Sequence, residues 1–383
     1  MKKVKLVLIG YGRIGKIHFQ NIISDPSVEL AAVIESERQS VLFTRPFDYP
    51  VYTSLESYLY QNSSIPEDQL CGVIISTPTP THHDLTKLAL NHRLAVFCEK
   101  PLSTLESEIK HLFSISQTHH LPLFCAFHRR FDPSFLELKR SILNNYIGRI
   151  HYLHSVSRDH PFPPLFFLSS SGGIFQDCCV HDIDMHCWLL NEYPSRVYVS
   201  GKAWHPDLAR SNDFDSVVIN LEYPSGVTSV IHVERYASYG YDQRVEVFGE
   251  DGMLCVENPH QNSLVKYHKE SIKRSPLHPS FEQRYSAAYK AEMSCFINMM
   301  RNASNEDMFD DEYKQERNCY SCQDPIHCAI TKDEIVRNCV IAEACAASVR
   351  LKQAVTIHYE LGSEFYKNIG SEYLLATSDA TTG

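Results

Sequence analysis

Val4-Lys5-Leu6-Val7-Leu8-Ile9-Gly10-Tyr11-Gly12-Arg13-Ile14-Gly15 is the stretch whose reading decides the fold. Val4 to Ile9 is an apolar run of strand length, and Lys16 to Ile23 continues with helical spacing. A second apolar run, Leu30 to Ile34, ends on Glu35, twenty residues after Gly15. Strand, G-x-G-x-x-G, helix, strand and acid, in that order, form the dinucleotide-binding fingerprint. Gly10 makes the tight turn, Gly12 lets a pyrophosphate approach, and Gly15 lets helix pack on strand. The helix start at Arg13 and Ile14 offers free N–H groups to the phosphates. Glu35 would accept hydrogen bonds from the adenosine ribose hydroxyls and repel a 2′-phosphate, so NAD is expected and NADP is disfavoured. Arg38 nearby pulls the other way. A glycine turn in an α/β fold without cofactor is the alternative.

The alternation of strand and helix continues. Gly72 to Ser76 reads as a buried strand that runs into Thr77-Pro78-Thr79-Pro80-Thr81-His82, followed by a helix through about Asn91. Leu94 to Cys98 is the next strand and ends on Glu99-Lys100-Pro101; a helix over 103–118 and the strand Leu121 to Phe127 follow. Open α/β sheets bind ligands beyond the carboxyl ends of their strands. Thr77, Pro78, His82, Glu99 and Lys100 therefore project to the same edge as the glycine turn. Pro101 fixes the turn that aims Lys100.

After Phe127 the pattern changes. His128 to Pro133 opens a helix near 133–145, and strand-like segments follow at 149–158, 196–203, 215–223, 226–236, 244–249, 252–256 and 263–267. Six or seven such strands with turns between them imply a largely antiparallel sheet. Helices are expected at 172–190, 280–300 and 331–350. The fold class is α/β: a Rossmann dinucleotide-binding domain at 1–126, and at 127–361 an α+β domain with a large, mainly antiparallel open sheet. Residues 302–331 read as a Cys-containing insertion and 362–383 as a flexible tail. A sheet covered by helices on one face leaves the other for solvent or a second subunit. A homodimer or homotetramer through that face is expected.

The stretch Gly172-Gly173-Ile174-Phe175-Gln176-Asp177-Cys178-Cys179-Val180-His181-Asp182-Ile183-Asp184 holds the candidate chemistry. Asp177 and His181 are four apart and Asp184 is three further on, so on a helix they stack along one face. Val180, Ile183, Cys187 and Trp188 fall mainly on the other side, giving a buried back and a polar front. The two glycines admit a close backbone or ligand. A carboxylate one turn from an imidazole holds the ring and raises its proton affinity, which suits a general base near neutral pH. The bland alternative is a solvated polar face, or a His–Asp pair that only ties two elements together.

Composition narrows the rest. The chain has 383 residues, 43% hydrophobic and 21% charged, as in ordinary globular proteins with two domains. A net charge of −10 argues against nucleic-acid or anionic-membrane partners. No apolar run approaches the ~20 residues that span a bilayer. Without a secretory signal, the thirteen cysteines are expected as reduced thiols in the cytoplasm. Cys319, Cys322 and Cys328 beside His327 have zinc-like spacing, but a second CxxC is absent and no metal site is expected.

The glycine turn ending in Glu35, the Glu99-Lys100-Pro101 turn, and Asp177 with His181 together resemble the glucose–fructose oxidoreductase and inositol dehydrogenase family. Three further stretches carry the resemblance toward its inositol 2-dehydrogenases: Phe127-His128-Arg129-Arg130-Phe131-Asp132, Ser171-Gly172-Gly173-Ile174-Phe175 with the Asp177 to Met185 segment, and Gly240-Tyr241-Asp242-Gln243-Arg244-Val245-Glu246. The resemblance covers about residues 4–300 and the helix near 331–350. His128 departs from the family pattern, where a smaller or apolar residue is expected. The resemblance implies a catalytic group of Lys100, Asp177 and His181 that oxidises a ring secondary alcohol of a cyclitol or sugar. The favoured reaction is myo-inositol to 2-keto-inositol with NAD. His181 would take the hydroxyl proton, Asp177 would orient it, and Lys100 would polarise the oxygen. Arg129, Asp184, Tyr239 and Tyr241 are candidates for the other hydroxyls, and His160 is a weaker one. The rival readings are a dehydrogenase of another sugar or a dihydrodiol, a non-catalytic NAD(P) sensor, and a metal enzyme using Asp177, His181 and Asp184.

Overall fold

The computed structural model describes residues 3–36, 49–62, 71–303 and 326–369. The cysteine pair Cys319 and Cys322, and Arg38 three residues after Glu35, lie outside the described residues. The chain divides into two compact units.

The first unit takes residues 1–103, 107–133 and 285–332. Its strands are β1 Val4–Ile9, β2 Val28–Ile34, β3 Val51–Tyr52, β4 Cys71–Ile75, β5 Ala95–Glu99 and β6 Leu123–Ala126. They form one sheet in the order β3-β2-β1-β4-β5-β6, and every pairing is parallel. The strand order turns back on itself between β1 and β4, so the ends of these two strands flank the crevice of a doubly wound sheet. Helices Arg13–Ser24, His82–Asn91 and Glu106–His119 connect the strands. The helix Ser286–Asn302, far along the chain, also belongs to this unit. The reason lies in its apolar positions: Phe296 sits 5.7 Å from the Phe97 ring of β5, and Met300 lies against Gly72 of β4. Cys295 on this helix is disulfide-bonded, contrary to the expectation of thiols throughout.

The second unit takes residues 104–106, 134–284 and 333–383. Its strands are β7 Ile150–Arg158, β8 Arg196–Lys202, β9 Ser216–Glu222, β10 Thr228–Glu234, β11 Asp242–Gly249, β12 Gly252–Val256, β13 Val265–His268, β14 Ser271–Arg274 and β15 Val355–Thr356. Seven of them form a sheet in the order β12-β11-β7-β10-β9-β8-β15. Only the central pair, β7 and β10, runs parallel; the rest are antiparallel. The segment expected as a seventh sheet strand at 263–267 instead forms a separate hairpin of β13 and β14. The seventh place goes to β15. Gly362–Asn368 is a helix rather than the start of a frayed tail, because Tyr366 is fully buried and Arg350 caps the carbonyls of Tyr366, Lys367 and Ile369.

Alternation along the strands decides which face is covered. Val197, Val199, Val217, Ile219, Leu221, Ile231 and Val233 point to one side and pack against Ile183 and Cys187 and against Val340, Ile341 and Ala344 of the helix Lys332–Leu351. On the other face Tyr198, Phe248 and Met253 are exposed. No helix among the described residues is long and apolar enough to cross a membrane.

Candidate active site

In the first unit the site begins at the end of β1. Gly10 has φ +90°, and a Cβ on it would meet Ser76 O at 2.7 Å, so this turn needs glycine. A Cβ on Gly15 would sit 2.1 Å from Gly10 O, while one on Gly12 would meet nothing within 4 Å. The turn is therefore tight behind and open in front, and Gly12 and Arg13 are exposed, with Ile14 half-buried. Glu35 at the end of β2 accepts the Tyr11 N–H at 2.8 Å, which holds the acidic side chain over the glycine turn. These features fit a dinucleotide: an open cradle of N–H groups for phosphates and a carboxylate placed for ribose hydroxyls.

Thr77 and Pro78 follow β4; Thr77 is half-buried and Pro78 is exposed. His82 and Glu99 behave differently from the expectation, because both side chains turn inward. His82 is 1% exposed, with Nδ1 at 2.7 Å from Pro101 O and Nε2 at 2.8 Å from Thr77 O. Burial lowers its pKa, against the pull of the two carbonyls. Its work is to clamp the turn after β4 to the turn that carries Lys100. Glu99 is buried against His18, with the His18 Nε2 to Glu99 Oε1 distance 2.7 Å. Lys100, next along the chain, is half-buried and precedes a cis Pro101. Arg129 is buried with its guanidinium over the Tyr285 ring. His128 has an evident reason for its size: it stacks on Tyr289 at 4.6 Å and meets Tyr285 edge-on.

In the second unit, the chemistry-bearing stretch departs from a plain amphipathic helix. Phe175–Cys179 is one π-helical turn, and an α-helix, Val180–Leu190, follows directly. Single π turns inside helices recur at functional sites, since the extra residue rephases the side chains on either side. Gly172 and Gly173 before it have φ of +87° and +82°. The α-helix is buried nearly all round rather than on one back face. Its polar side chains are pinned inward by the sheet and a neighbouring helix. Ser157 donates to Asp182 at 2.7 Å, His186 meets Ser155 and Ser229 at 2.9 Å each, and Asn338 donates to Asp184 at 2.8 Å. Lys139 closes the far end on the carbonyls of Trp188 and Leu189, where the chain turns out through Asn191 with φ +53°.

Asp177 and His181 remain half-buried, whereas Asp184 is 1% exposed. The expected row of three therefore reduces to two, and Asp184 is an anchor to the helix Lys332–Leu351. Asp177 is held by a residue that sequence reasoning missed. Arg235, fully buried just past β10, donates from Nη1 to Asp177 Oδ2 at 3.2 Å and from Nη2 to Asp213 Oδ2 at 3.0 Å. Its Nε donates to Phe214 O at 3.0 Å. Burial opposes its charge, but Cys178, Asp177 and Asp213 outweigh that and raise its pKa. A lone arginine at a strand end carries no spacing signal, so only the fold brings it to Asp177.

Tyr239 is exposed and lies at the joined ends of β7 and β11. Arg158 donates to its hydroxyl at 2.6 Å, and the hydroxyl donates to Asp242 at 2.6 Å. Tyr241 is buried. His160 is tied at Nδ1 to Ala237 O at 2.9 Å.

A doubly wound parallel sheet with an open glycine turn and an acid beside it, joined in one chain to a mainly antiparallel sheet domain, is the architecture of a dinucleotide-dependent dehydrogenase. Residues 4–127 match the oxidoreductase family with an NAD-binding Rossmann fold, and 135–255 match the GFO/IDH/MocA C-terminal domain. The chain is 32% identical over 298 residues to an inositol 2-dehydrogenase of Rhizobium meliloti, covering 77% of this chain and 88% of that one. It is 30% identical over 302 residues to a myo-inositol 2-dehydrogenase of Thermotoga maritima, covering 78% and 89%. The crystal structure of a myo-inositol dehydrogenase from Corynebacterium glutamicum superposes with a TM-score of 0.77 at 28% identity, covering 93% of this chain and 99% of that one. The chain belongs to the GFO/IDH/MocA oxidoreductase family. It is an NAD-dependent dehydrogenase acting on CH–OH groups.

Proposed function

We propose that this dehydrogenase oxidises a ring secondary alcohol of a cyclitol, with myo-inositol to 2-keto-inositol as the favoured reaction. The carrying observation is that Asp177 and His181, alone among the carboxylate and imidazole groups of their stretch, stay half-open while the others are pinned inward. The names of the relatives supply the substrate class. His181 takes the hydroxyl proton on its ring nitrogen. Asp177, anchored by Arg235, orients the imidazole and stabilises its protonated form. Lys100, as ammonium, donates a hydrogen bond to the reacting oxygen and favours alkoxide character; help of this kind is worth roughly 10²–10⁴ in rate. Bound NAD supplies the hydride acceptor. Tyr239 is the open candidate for holding a further hydroxyl. The uncovered sheet face, with Tyr198, Phe248 and Met253, is the surface through which we expect copies of the chain to pair.

The test is NADH formation with myo-inositol, scyllo-inositol and a panel of aldoses and dihydrodiols. Turnover highest with a cyclitol is the expected result. Preference for an aldose or a dihydrodiol would replace the substrate, and NAD binding without turnover on any of them would make the chain a sensor.

A further inference from the structure

One residue before Lys100, three ionisable groups meet inside the first unit. His18 comes from the helix Arg13–Ser24, Glu99 from the end of β5, and Glu292 from the helix Ser286–Asn302. Their ligand atoms all lie within 4.8 Å of one another, and their exposures are 0%, 4% and 0%. His18 and Glu99 are hydrogen-bonded, but neither carboxylate oxygen of Glu292 has a hydrogen-bond partner. The surroundings are aromatic. His18 packs edge-on against Phe97 and Tyr289, and His128, from the turn after β6, stacks on Tyr289 as well. Two ionised carboxylates cannot share such a site without a large desolvation and repulsion cost, so one must be neutralised.

We propose that Glu292 is held in the folded enzyme as a neutral carboxylic acid and, with His18, is a positioning residue that fixes Glu99 and so the Glu99–Lys100 turn. The proton is placed on Glu292 because Glu99 already has a hydrogen-bond partner in His18, at 2.7 Å, whereas neither oxygen of Glu292 has one. Burial, and then the Glu99 charge, push the Glu292 carboxyl well above the usual carboxylate range, in accord with this assignment. Among the described residues, the titratable groups around the cluster, besides its own three members, include Tyr289 and His128 through the ring stack, and His82 and Cys98, which interact electrostatically with Glu99. A divalent cation held by the three residues would solve the same charge problem. The direct 2.7 Å His18–Glu99 contact favours the proton, since two ligands spread around a metal at ~2.0–2.2 Å would stand further apart.

The role rests on Lys100 polarising the substrate oxygen, so the experiment separates the two claims. Three variants of the full chain are compared: Glu292→Gln, Glu292→Leu and, as the control for the Lys100 reading, Lys100→Ala. Glutamine mimics the neutral acid. Glu292→Gln is therefore expected to fold, to keep kcat within about twofold, and to lose one protonated-carboxyl C=O band from the infrared spectrum at neutral pH. Glu292→Leu is expected to lower kcat by roughly ten- to a hundredfold with KM for NAD little changed, as misplacement of a reacting group does. Linkage gives an independent reading. A group whose folded pKa is raised stabilises fully below its unfolded pKa, about 4.3, and that contribution is lost as pH rises. The melting temperature of the wild type should therefore fall relative to Glu292→Gln between about pH 5 and 8.

Three results would overturn the proposal: no carboxyl band lost in Glu292→Gln, no pH-dependent divergence of its stability, or failure of Glu292→Gln to fold. A stoichiometric divalent ion that disappears in Glu292→Gln would also do so and would make the cluster a metal site. Full turnover by Lys100→Ala would instead remove the reading of Lys100 and leave the protonation of Glu292 standing on the infrared and stability results.

Discussion

Replacing Arg235 by methionine tests how the second unit holds its candidate catalytic carboxylate. The guanidinium is fully buried and spans two acids, Asp177 at 3.2 Å and Asp213 at 3.0 Å, with a third bond to Phe214 O. Methionine fills much of the volume but leaves two carboxylates, 14% and 13% exposed, facing each other without this cation. Breaking a buried pair by removing one partner costs about 3–5 kcal/mol. For a unit of this size that is roughly 6–20 °C in melting temperature. Scanning calorimetry of wild type, Arg235→Met, Asp213→Asn and the double variant reads it directly. Adding Asp213→Asn to Arg235→Met should recover part of the loss, because one unpaired charge is gone, and the cycle isolates the coupling. Turnover should fall as well, since Asp177 loses the group that orients it. A loss under about 1 kcal/mol in Arg235→Met, a value typical of exposed pairs, would refute the claim that this arginine holds the two acids in place.

Lys100→Ala and His181→Ala should each lose roughly 10²–10⁴ in kcat while NAD still binds, measured by steady-state kinetics beside cofactor fluorescence titration. Glu35→Ala should weaken NAD and relax discrimination against NADP, read as the ratio of kcat/KM for the two cofactors. Tyr239→Phe removes a hydroxyl that links Arg158 to Asp242, at a cost of about 1 kcal/mol in stability. Burial opposes the Asp242 charge, but hydrogen bonds from Arg244, Tyr239 and Asn258 win and lower its carboxyl pKa. Its stabilisation is therefore present above the unfolded value of about 3.9 and lost as pH falls below it. The deficit of Tyr239→Phe should accordingly shrink in melts below about pH 4.

The glycine turn made the first unit readable, because the tight turn, the open cradle and the acid each demand a residue type at a fixed spacing. Gly10, Gly15 and Glu35 occupy the places that spacing implied. Most strands of the second unit were readable too, from period-two alternation. What escaped has no local signature. β3 and β15 are two residues each and exist only because a neighbouring edge pairs with them. The π turn at 175–179 looks like ordinary helix in one dimension. Asp184 reads as part of a polar face until Asn338, 154 residues later, claims it. Arg235 matters through a partner 58 positions away, and Glu292 through Glu99, which sits far back on β5. No window of sequence shows such pairings.

The path of the chain through the first unit bears on its biosynthesis. The six parallel strands have all left the ribosome once residue 126 emerges, yet the helix that covers Phe97 and faces His18 begins at Ser286. Until then the nascent sheet has a hydrophobic wall without its lid, and closure must wait for most of the chain. Such long-range completion is slow and leaves apolar surface open to association. Fragments that stop short of residue 286 should be poor vehicles for studying NAD binding in isolation, however complete their glycine fingerprint.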